Sequence, residues 1–317
     1  MNEDKLISRL IKYIGSDYLF LTPSGTDAII KSLHILNLPS EAEVIVPSFC
    51  CRAVADAVIR SGGKPVFSDV SINNYNISVA DIEEVLTEKT AAVIVVHLFG
   101  QPAPIGEIID YARRKSIFVI EDAAQSFGGV YKNGVKLGTL GDIGIFSFGY
   151  EKIIDVGGGG AILTNRHDFA VELKKQIMGH KNYKDWIKRL DFLMNSIDDN
   201  LSTRRENALL YKKYLNTDFI IHPEYSDDLG TFFRYSCILK HNCRSKLIEE
   251  LKGDGDIVTT LYSQPLHTLY GNSIKVLKNT DFMSDRIINL FVRSPYTDEY
   301  IIKITDKIKK TLENINE

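Results

Sequence analysis

The sequence predicts an α/β protein, with a large domain built on a mostly parallel sheet and a small α+β C-terminal domain. In the first part of the chain, short apolar runs alternate with amphipathic helical segments, which is typical of a parallel sheet with helices on both faces. After Thr164 polar helical segments dominate and strands are few. The 317 residues are long enough for both units. We predict that residues 1–200 form the large domain and that residues 201–317, which include the linking helix, form the small one.

Hydrophobic periodicity predicts the elements of the large domain in order. Apolar residues on one face indicate an N-terminal helix that ends at Gly15, and Ser78 with Asp81 forms a capping box before a later helix. Short apolar runs bounded by turn residues indicate buried strands. The predicted helices cover 4–14, 28–33, 50–60, 78–86, 104–115 and 169–178, and the predicted strands cover 18–22, 43–48, 64–70, 91–100, 117–120, 143–148 and 161–164.

The same signals predict the remaining elements. Residues 178–215 are polar and helical, and they end in a long helix. Thr297 is the predicted cap of the last helix. Between these helices we predict strands at 233–240 and 287–292, a helix at 244–252 and a short strand in the segment 256–267.

Composition and charge exclude several classes of function. The chain is 44% hydrophobic with a net charge of −3. Its charges are interspersed without a basic stripe, so we expect no nucleic-acid partner. No apolar run approaches the roughly 20 residues that span a membrane, and the N-terminal segment is unlike a signal peptide. The four cysteines form no disulfide framework and the seven histidines no zinc-like spacing, which fits a reducing cytoplasm.

The stretch 117–164 carries the strongest functional pattern. A buried strand ends in two adjacent carboxylates, Glu121 and Asp122, and a second strand ends shortly before a lone lysine, Lys152. Four glycines follow at 157–160, and glycine lets a ligand approach the backbone. Polar groups at strand ends beside such glycines are what an α/β active site requires.

These residue types fit the chemistry of pyridoxal phosphate. A lysine amine must lose its proton before it condenses with the cofactor aldehyde, and partial burial favours the neutral amine. A carboxylate held at a strand end can keep the pyridine nitrogen protonated, so that the ring draws electrons from a carbanion. We assign these functions to Lys152 and Asp122. Gln125 is predicted to bind the ring hydroxyl, and Ser147 to donate to the phosphate.

Each residue also has an ordinary structural explanation. An acid at a strand end often forms a turn or caps a helix, and a lysine in a loop is usually solvated. The segment 23–27 leads from a strand into a helix N-terminus, where free N–H groups favour a phosphate. Its Ser-Gly-Thr sequence alone, however, better fits a simple helix cap. We expect His97, at a strand end, to be packed and hydrogen-bonded rather than catalytic. Only the joint pattern favours a functional interpretation.

The motif EDAAQSFGGVYKNGVKLGTLGDIGIFSF, the lysine five residues after its last serine and the following GGGGAILTN closely resemble the sugar aminotransferases of the DegT/DnrJ/EryC1/StrS family. Asp122, Gln125, Ser147 and Lys152 match position by position. The resemblance covers nearly the whole chain, including the RRENALLYKKYL helix that links the two domains in the family.

The resemblance implies an aspartate-aminotransferase-like fold, PLP fold type I, with pyridoxal 5'-phosphate as cofactor. It implies transfer of an amino group from an amino acid, with glutamate as the expected donor, to a nucleotide-linked keto sugar. It also implies a homodimer in which each active site draws residues from both chains. The family's Gly-Thr pair at the phosphate corresponds to Gly25 and Thr26. On the substrate side we select Tyr262 and His267 from the segment that resembles the family's Y-x-x-P-L-H.

The chain departs from the family pattern at three places. Its first helix begins where the family usually has a further segment. The family's G-Y-N-Y-R motif, whose asparagine reaches the phosphate of the partner chain, corresponds to a shortened segment in which Asn182 is the nearest match, with Lys184 in place of arginine; a surface loop is an equally good explanation. Cys51 stands where an aromatic ring lies over the cofactor, and Arg52 beside it either meets an acidic substrate group or is simply on the surface.

Three rival functions remain at this point. Relatives that dehydrate keto sugars have a histidine in place of the lysine, and Lys152 argues against that reaction. A shortened, non-catalytic or regulatory relative would explain the departures, but it would have no use for the retained set of cofactor residues. A third alternative, an aminotransferase for a non-sugar substrate such as a small cyclic ketone, is compatible with these residues.

Overall fold

Two sheets organise the chain, one in its N-terminal part and one in its C-terminal part. The computed structural model describes residues 3–177, 184–224, 229–251, 258–271 and 275–316. The strands are β1 (Tyr18–Thr22), β2 (Glu43–Pro47), β3 (Lys64–Ser68), β4 (Thr90–Val96), β5 (Phe118–Asp122), β6 (Ile143–Ser147), β7 (Gly160–Thr164), β8 (Ile220–Ile221), β9 (Tyr235–Leu239), β10 (Val258–Thr259) and β11 (Ile287–Leu290).

Helices lie between most of these strands, as the alternating pattern predicts. The helices are α1 (Glu3–Ile14), α2 (Gly25–Ile35), α3 (Arg52–Arg60), α4 (Val79–Val85), α5 (Ile105–Lys115), α6 (His167–Ile177), α7 (Lys184–Leu193), α8 (Ile197–Tyr214), α9 (Arg244–Glu250), α10 (Leu266–Tyr270), α11 (Lys278–Ser284) and α12 (Asp298–Asn316). The capping box predicted for Ser78 and Asp81 is present at the start of α4, and the Thr297 hydroxyl accepts a hydrogen bond from the N–H of Tyr300 at the start of α12. None of the helices described is both long and apolar enough to cross a membrane.

The large sheet has the strand order β1-β7-β6-β5-β4-β2-β3. Strands β2 to β6 pair in parallel, whereas β7 is antiparallel to both β6 and β1. The predicted mostly parallel sheet is therefore confirmed. The register pairs Asp122 at the end of β5 with Val96 of β4 and Ile145 of β6. The carboxyl ends of the central strands thus lie together at one edge of the sheet, which is where ligands bind in such folds.

The small sheet has the order β10-β11-β9-β8 and is antiparallel throughout. All of it lies within residues 201–317, and α8 begins just before the predicted boundary at residue 200. One hydrophobic core extends from the large sheet into the small one. The division into domains 1–200 and 201–317 therefore stays a prediction.

Some predicted boundaries differ from the structure. The strand expected at 91–100 ends at Val96, because His97 turns the chain and Phe99 adopts a positive φ of 53°. The helix expected from residue 50 begins at Arg52, with Cys51 as the preceding residue in extended conformation. The helical segment 178–215 consists of α7 and α8 with a short 3-10 turn between them, and its residues 178–183 lie outside the described part of the chain.

Gly144 in β6 has no room for a side chain. A Cβ atom at this position would lie 1.8 Å from the carbonyl oxygen of Gly138. We expect Gly144→Ala to lower the free energy of unfolding by about 2 kcal/mol or more, because backbone must move to relieve the overlap. Urea unfolding measures this change. Gly158→Ala is the control, since its Cβ would meet no atom within 4 Å, and equal stability of the two variants would contradict the prediction.

Candidate active site

The two carboxylates at the end of β5 point in opposite directions, as neighbouring residues of a strand must. The Glu121 carboxylate is fully buried, lies 2.9 Å from Nε2 of His97 and accepts hydrogen bonds from the N–H groups of Gly138, Leu140 and Gly141. Glu121 therefore fixes the loop that precedes β6. Asp122, in contrast, lines a cavity of about 170 Å³ at the carboxyl edge of the sheet.

His97 supports the same loop structure. Its other ring nitrogen, Nδ1, accepts a hydrogen bond from the N–H of Ala103 at 3.0 Å, and the ring is completely buried. The prediction that His97 is a packed, hydrogen-bonded residue is confirmed. Burial by itself would raise the pKa of Glu121, but His97 and the N–H groups of Gly138 and Gly141 outweigh burial and hold this pKa below its usual value.

Asp122 presents one carboxylate oxygen to the backbone and lies in a pocket that disfavours its charge. Its Oδ1 accepts a hydrogen bond from the N–H of Ala124 at 2.9 Å. Burial raises the pKa of Asp122, and the Ala124 N–H, Lys152 and His97 partly oppose that increase. A nearby cation would favour the charged carboxylate, so the site is suited to a group that carries a positive charge.

Lys152 lines the same cavity as Asp122. The described residues make no hydrogen bond or close ion pair to its Nζ, which lies 5.5 Å from the centroid of the Phe233 ring. Burial lowers the pKa of the Lys152 ammonium, while the proximity of Asp122 and Cys51 raises it. The amine is therefore drawn toward the neutral form, which is the form that attacks an aldehyde.

The N-terminus of α2 forms a further wall of the cavity. Ser24 caps the helix, because its hydroxyl accepts a hydrogen bond from the N–H of Asp27. The first N–H groups of a helix have no partner within the helix, and Gly25 and Thr26, the first two residues of α2, line the cavity together with Ser147. Free N–H groups at the positive end of a helix dipole, beside a hydroxyl, form a seat for a phosphate.

Glycines permit this seat to form. A Cβ atom on Gly25 would lie 2.9 Å from the Cβ of Ser147, and one on Gly160 would lie 2.6 Å from the carbonyl carbon of Ser24. The N–H of Gly159 donates to the carbonyl of Pro23 at 2.9 Å. The glycine run at the start of β7 therefore lets the turn before α2 approach the ends of β6 and β7.

Gln125 and Tyr262 are joined at the edge of the cavity. The Gln125 side chain lines the cavity, accepts a hydrogen bond from the N–H of Phe99 and donates one from Nε2 to the hydroxyl of Tyr262 at 2.6 Å. The second N–H of the Gln125 amide is available to a ligand, because an amide nitrogen carries two donors. Tyr262 packs edge-on against Phe49, so its place beside the cavity is fixed.

Of the other predicted residues, His267 is not brought into the cavity. His267 has both ring nitrogens engaged, Nδ1 with the hydroxyl of Ser48 at 2.7 Å and Nε2 with Asp281 at 3.1 Å. It is absent from the cavity wall, so its predicted contact with substrate stays a prediction. Asn182 lies outside the described residues. Cys51 does line the cavity.

The cavity fits pyridoxal phosphate by its chemistry. It combines an amine for the aldehyde, a carboxylate for the ring nitrogen, an amide for the ring hydroxyl and a phosphate seat that a side chain at residue 25 would fill. A larger cavity of about 400 Å³ lies at the opposite, amino end of β5 and has no such combination. The described part of the chain contains no cluster of His, Cys, Asp and Glu that could hold a metal ion.

Sequence reasoning missed the residues that support the cavity from the C-terminal part of the chain. Phe233 lies beneath the Lys152 amine, and Arg234 forms an ion pair with Glu151 at 2.8 Å. Arg234 was part of a predicted strand with no chemistry assigned to it. The one available signal was an arginine in a mostly apolar predicted strand, because a buried arginine is rare unless it is paired.

Comparison with known proteins identifies the family of this chain. The family model described as the DegT/DnrJ/EryC1/StrS aminotransferase family matches residues 2–185 and 192–309. The GDP-perosamine synthase of Escherichia coli O157:H7 is 32% identical over 311 residues, which cover 92% of this chain and 85% of that protein. The dTDP-3-amino-3,6-dideoxy-alpha-D-galactopyranose transaminase of Aneurinibacillus thermoaerophilus is 35% identical over 240 residues, which cover 71% of this chain and 66% of that protein.

A solved structure extends the likeness to the whole fold. The DegT DnrJ EryC1 StrS aminotransferase from Brucella abortus is 28% identical in sequence and has a TM-score of 0.86 to this chain, with 97% of this chain and 89% of that chain covered. The likeness therefore extends over both the large sheet and the small sheet.

The position of Glu121 predicts a measurable contribution to stability. We expect Glu121→Gln to lower the free energy of unfolding by about 2 kcal/mol at neutral pH, because charged acceptors form the stronger hydrogen bonds. The folded-state pKa of Glu121 lies below its unfolded value. Its contribution is therefore present above the unfolded pKa and is lost as pH falls through the folded pKa.

Urea unfolding at neutral and acidic pH tests this expectation. The difference between wild type and Glu121→Gln should shrink in acid. Glu107→Gln is the control, because the side chain of Glu107 is 66% exposed and should contribute little at either pH. A Glu121→Gln variant as stable as Glu107→Gln at neutral pH would show that Glu121 does not support the loop.

Proposed function

This chain belongs to the DegT/DnrJ/EryC1/StrS aminotransferase family, and from that premise we propose that it transfers the amino group of an amino acid to a nucleotide-linked keto sugar. Membership confirms the predicted family, the aspartate-aminotransferase-like fold and the cofactor, pyridoxal 5'-phosphate. The observation that carries the assignment to residues is the shared cavity of Lys152 and Asp122, with the N-terminus of α2 in its wall.

Lys152 and Asp122 would divide the proton chemistry between them. When bound, pyridoxal phosphate supplies an aldehyde that takes up an amine and a ring that spreads the electrons of a carbanion. Burial favours the neutral form of the Lys152 amine. This amine would accept the proton from the substrate carbon and deliver it to C4′ of the cofactor. The Asp122 carboxylate would hold the proton on the ring nitrogen.

The remaining cavity residues would bind and orient the cofactor. The N–H groups of Gly25 and Thr26 and the hydroxyl of Ser147 would bind the phosphate, and a fixed phosphate limits rotation of the ring. The free N–H of the Gln125 amide would bind the ring hydroxyl. Gln125 is well placed for this task, because Phe99 and Tyr262 hold its amide in one orientation.

Two relatives support a nucleotide sugar as the amino acceptor. The Escherichia coli protein is named for a GDP sugar and the Aneurinibacillus thermoaerophilus protein for a dTDP sugar. We propose that this chain accepts a sugar of the same class, with glutamate as donor. Tyr262 is the better candidate for a substrate contact, since it adjoins the cavity through Gln125. Ser48 and Asp281 occupy both ring nitrogens of His267, so His267 would contact the substrate only after one of these two contacts breaks.

We further propose that the active enzyme is a homodimer in which Asn182 of each chain completes the phosphate seat of the other. The family resemblance supports this arrangement. In this arrangement Tyr150, whose side chain is 77% exposed only two residues before Lys152, would lie near the interface between the two copies.

The cofactor assignment predicts a covalent link through one lysine. We expect the purified protein with pyridoxal phosphate to show a visible absorbance band that borohydride removes, and we expect peptide mass spectrometry to find the reduced cofactor on Lys152. Lys152→Ala should abolish the link and lower amino transfer by about a thousandfold or more. Lys136→Ala is the matched control, because Lys136 is also half-buried with a lowered pKa but lines another cavity.

Addition of substrates separates an aminotransferase from a non-catalytic relative. Glutamate should convert the cofactor to its amine form and remove the visible band, and a nucleotide-linked keto sugar should restore it. Cofactor found on another lysine would refute the site assignment. A correct link that no amino donor changes would refute the proposed reaction.

Shared active sites predict activity from two inactive chains. Lys152→Ala and Asn182→Ala chains, dissociated and reassociated together, should recover roughly a quarter of wild-type activity at limiting cofactor, because half of the dimers are mixed and each mixed dimer has one intact site. Each variant treated alone is the control. If Asn182 serves its own chain, every site carries one defect and no activity returns.

A further inference from the structure

A buried ion pair holds the turn that carries Lys152. The side chain of Arg234 is 1% exposed and its Nη2 donates to Oε2 of Glu151 at 2.8 Å. Glu151 has a φ of 63°, a conformation that costs free energy for any residue other than glycine. Its N–H donates to Asp155. The turn immediately before Lys152 is therefore strained and is fixed by contacts at both its side chain and its backbone.

One aromatic ring, that of Phe233, lies close to both the amine and the guanidinium. Lys152 Nζ is 5.5 Å and Arg234 Cζ is 4.6 Å from the centroid of the Phe233 ring. Arg234 Cζ also lies 4.1 Å from the centroid of Phe291. Both cations thus use the π face of an aromatic ring, and the rings hold the guanidinium in one plane.

Burial of the Arg234 charge costs free energy, so the ion pair is poorly explained by stability alone. Burial, followed by the repulsion of Arg293, lowers the pKa of Arg234 to about 10 despite the charge of Glu151. Its Nε is buried without a hydrogen-bond partner among the described residues. Replacement of a buried ion pair by apolar residues is often neutral or stabilising. A role in controlling the neighbouring Lys152 amine would explain why the buried charge of Arg234 is present.

We propose that Arg234 is a positioning residue, which acts through Glu151 and Phe233 to hold the Lys152 amine at the cavity. The set of Glu151, Phe233 and Arg234 is named here the amine clamp. The inference rests on the proposed function of Lys152. It adds a residue from the C-terminal part of the chain to the control of an amine in the N-terminal part.

The charges around Lys152 define what the clamp should do. Asp122 faces the amine from β5 and Cys51 from the residue before α3, and both raise the pKa of Lys152. Within the clamp, Arg234 lowers that pKa and Glu151 raises it. Removal of the two charges should therefore shift the titration of the amine in opposite directions.

The test measures this titration in the cofactor-free protein. A short pulse of formaldehyde and cyanoborohydride methylates only neutral amines, and peptide mass spectrometry reports the yield at Lys152 across neutral and alkaline pH. We expect Arg234→Gln to raise the midpoint by about one pH unit and Glu151→Gln to lower it by a similar amount. The double variant should return toward the wild-type midpoint.

Controls separate positioning from general stability. Arg9→Gln removes another partly buried pair, with Asp191, and should change stability without moving the Lys152 midpoint. Arg234→Lys keeps the positive charge, so its midpoint for Lys152 methylation should lie close to the wild-type value. If Arg234→Gln does not fold, Glu151→Gln still decides, because the side chain of Glu151 is 26% exposed.

Equal midpoints in wild type, Glu151→Gln and Arg234→Gln would overturn the inference. That result would leave the proposed function intact, since methylation needs no cofactor. Conversely, a cofactor linked to a lysine other than Lys152 would refute the proposed function, whatever the midpoints are.

Discussion

The side-chain alternation at the end of β5 is the constraint on which the site depends. Glu121 turns to one face and binds the loop before β6 through three N–H groups and His97. That loop sets where β6 begins, and thus where its last residue, Ser147, reaches the cavity. Asp122 turns to the other face and lines the cavity. The acid that binds a loop and the acid to which we assign the cofactor can be adjacent in sequence, because the strand directs their side chains to opposite faces.

The phosphate seat depends on a second long-range arrangement. Strand β1 pairs antiparallel with β7, so Thr22 lies opposite Gly160. The turn that follows β1 is carried over the glycine run and against the end of β6. Since Gly25 and Gly160 have no side chains, α2 can begin at the wall of the cavity. Helix dipole, glycine contacts and strand pairing therefore act at the same point.

Local periodicity was sufficient to predict most helices and strands, because burial on one face leaves a repeating signal. The motif was sufficient to place Lys152, Asp122 and Gln125 in one site. Strand order and the direction of β7 left no such local signal. The structural role of Glu121 left no local signal either, because its partners, His97 and the loop before β6, are distant from it in the chain. Arg234 was missed because its partner, Glu151, is 83 residues away in the chain.

The cavity wall also differs from the family pattern, in which an aromatic ring lies over the cofactor. Cys51 occupies the wall, and among the described residues that line the cavity none is aromatic. The neighbouring rings of Phe49, Phe99 and Tyr262 pack on one another instead. A thiol offers a π face less contact area than a ring does. Orientation of the cofactor must therefore depend more on polar contacts at the phosphate, the ring nitrogen and the lysine. The position of the Lys152 amine is then especially important for holding the cofactor. The contact with Phe233 and the fixed turn at Glu151 would secure this position.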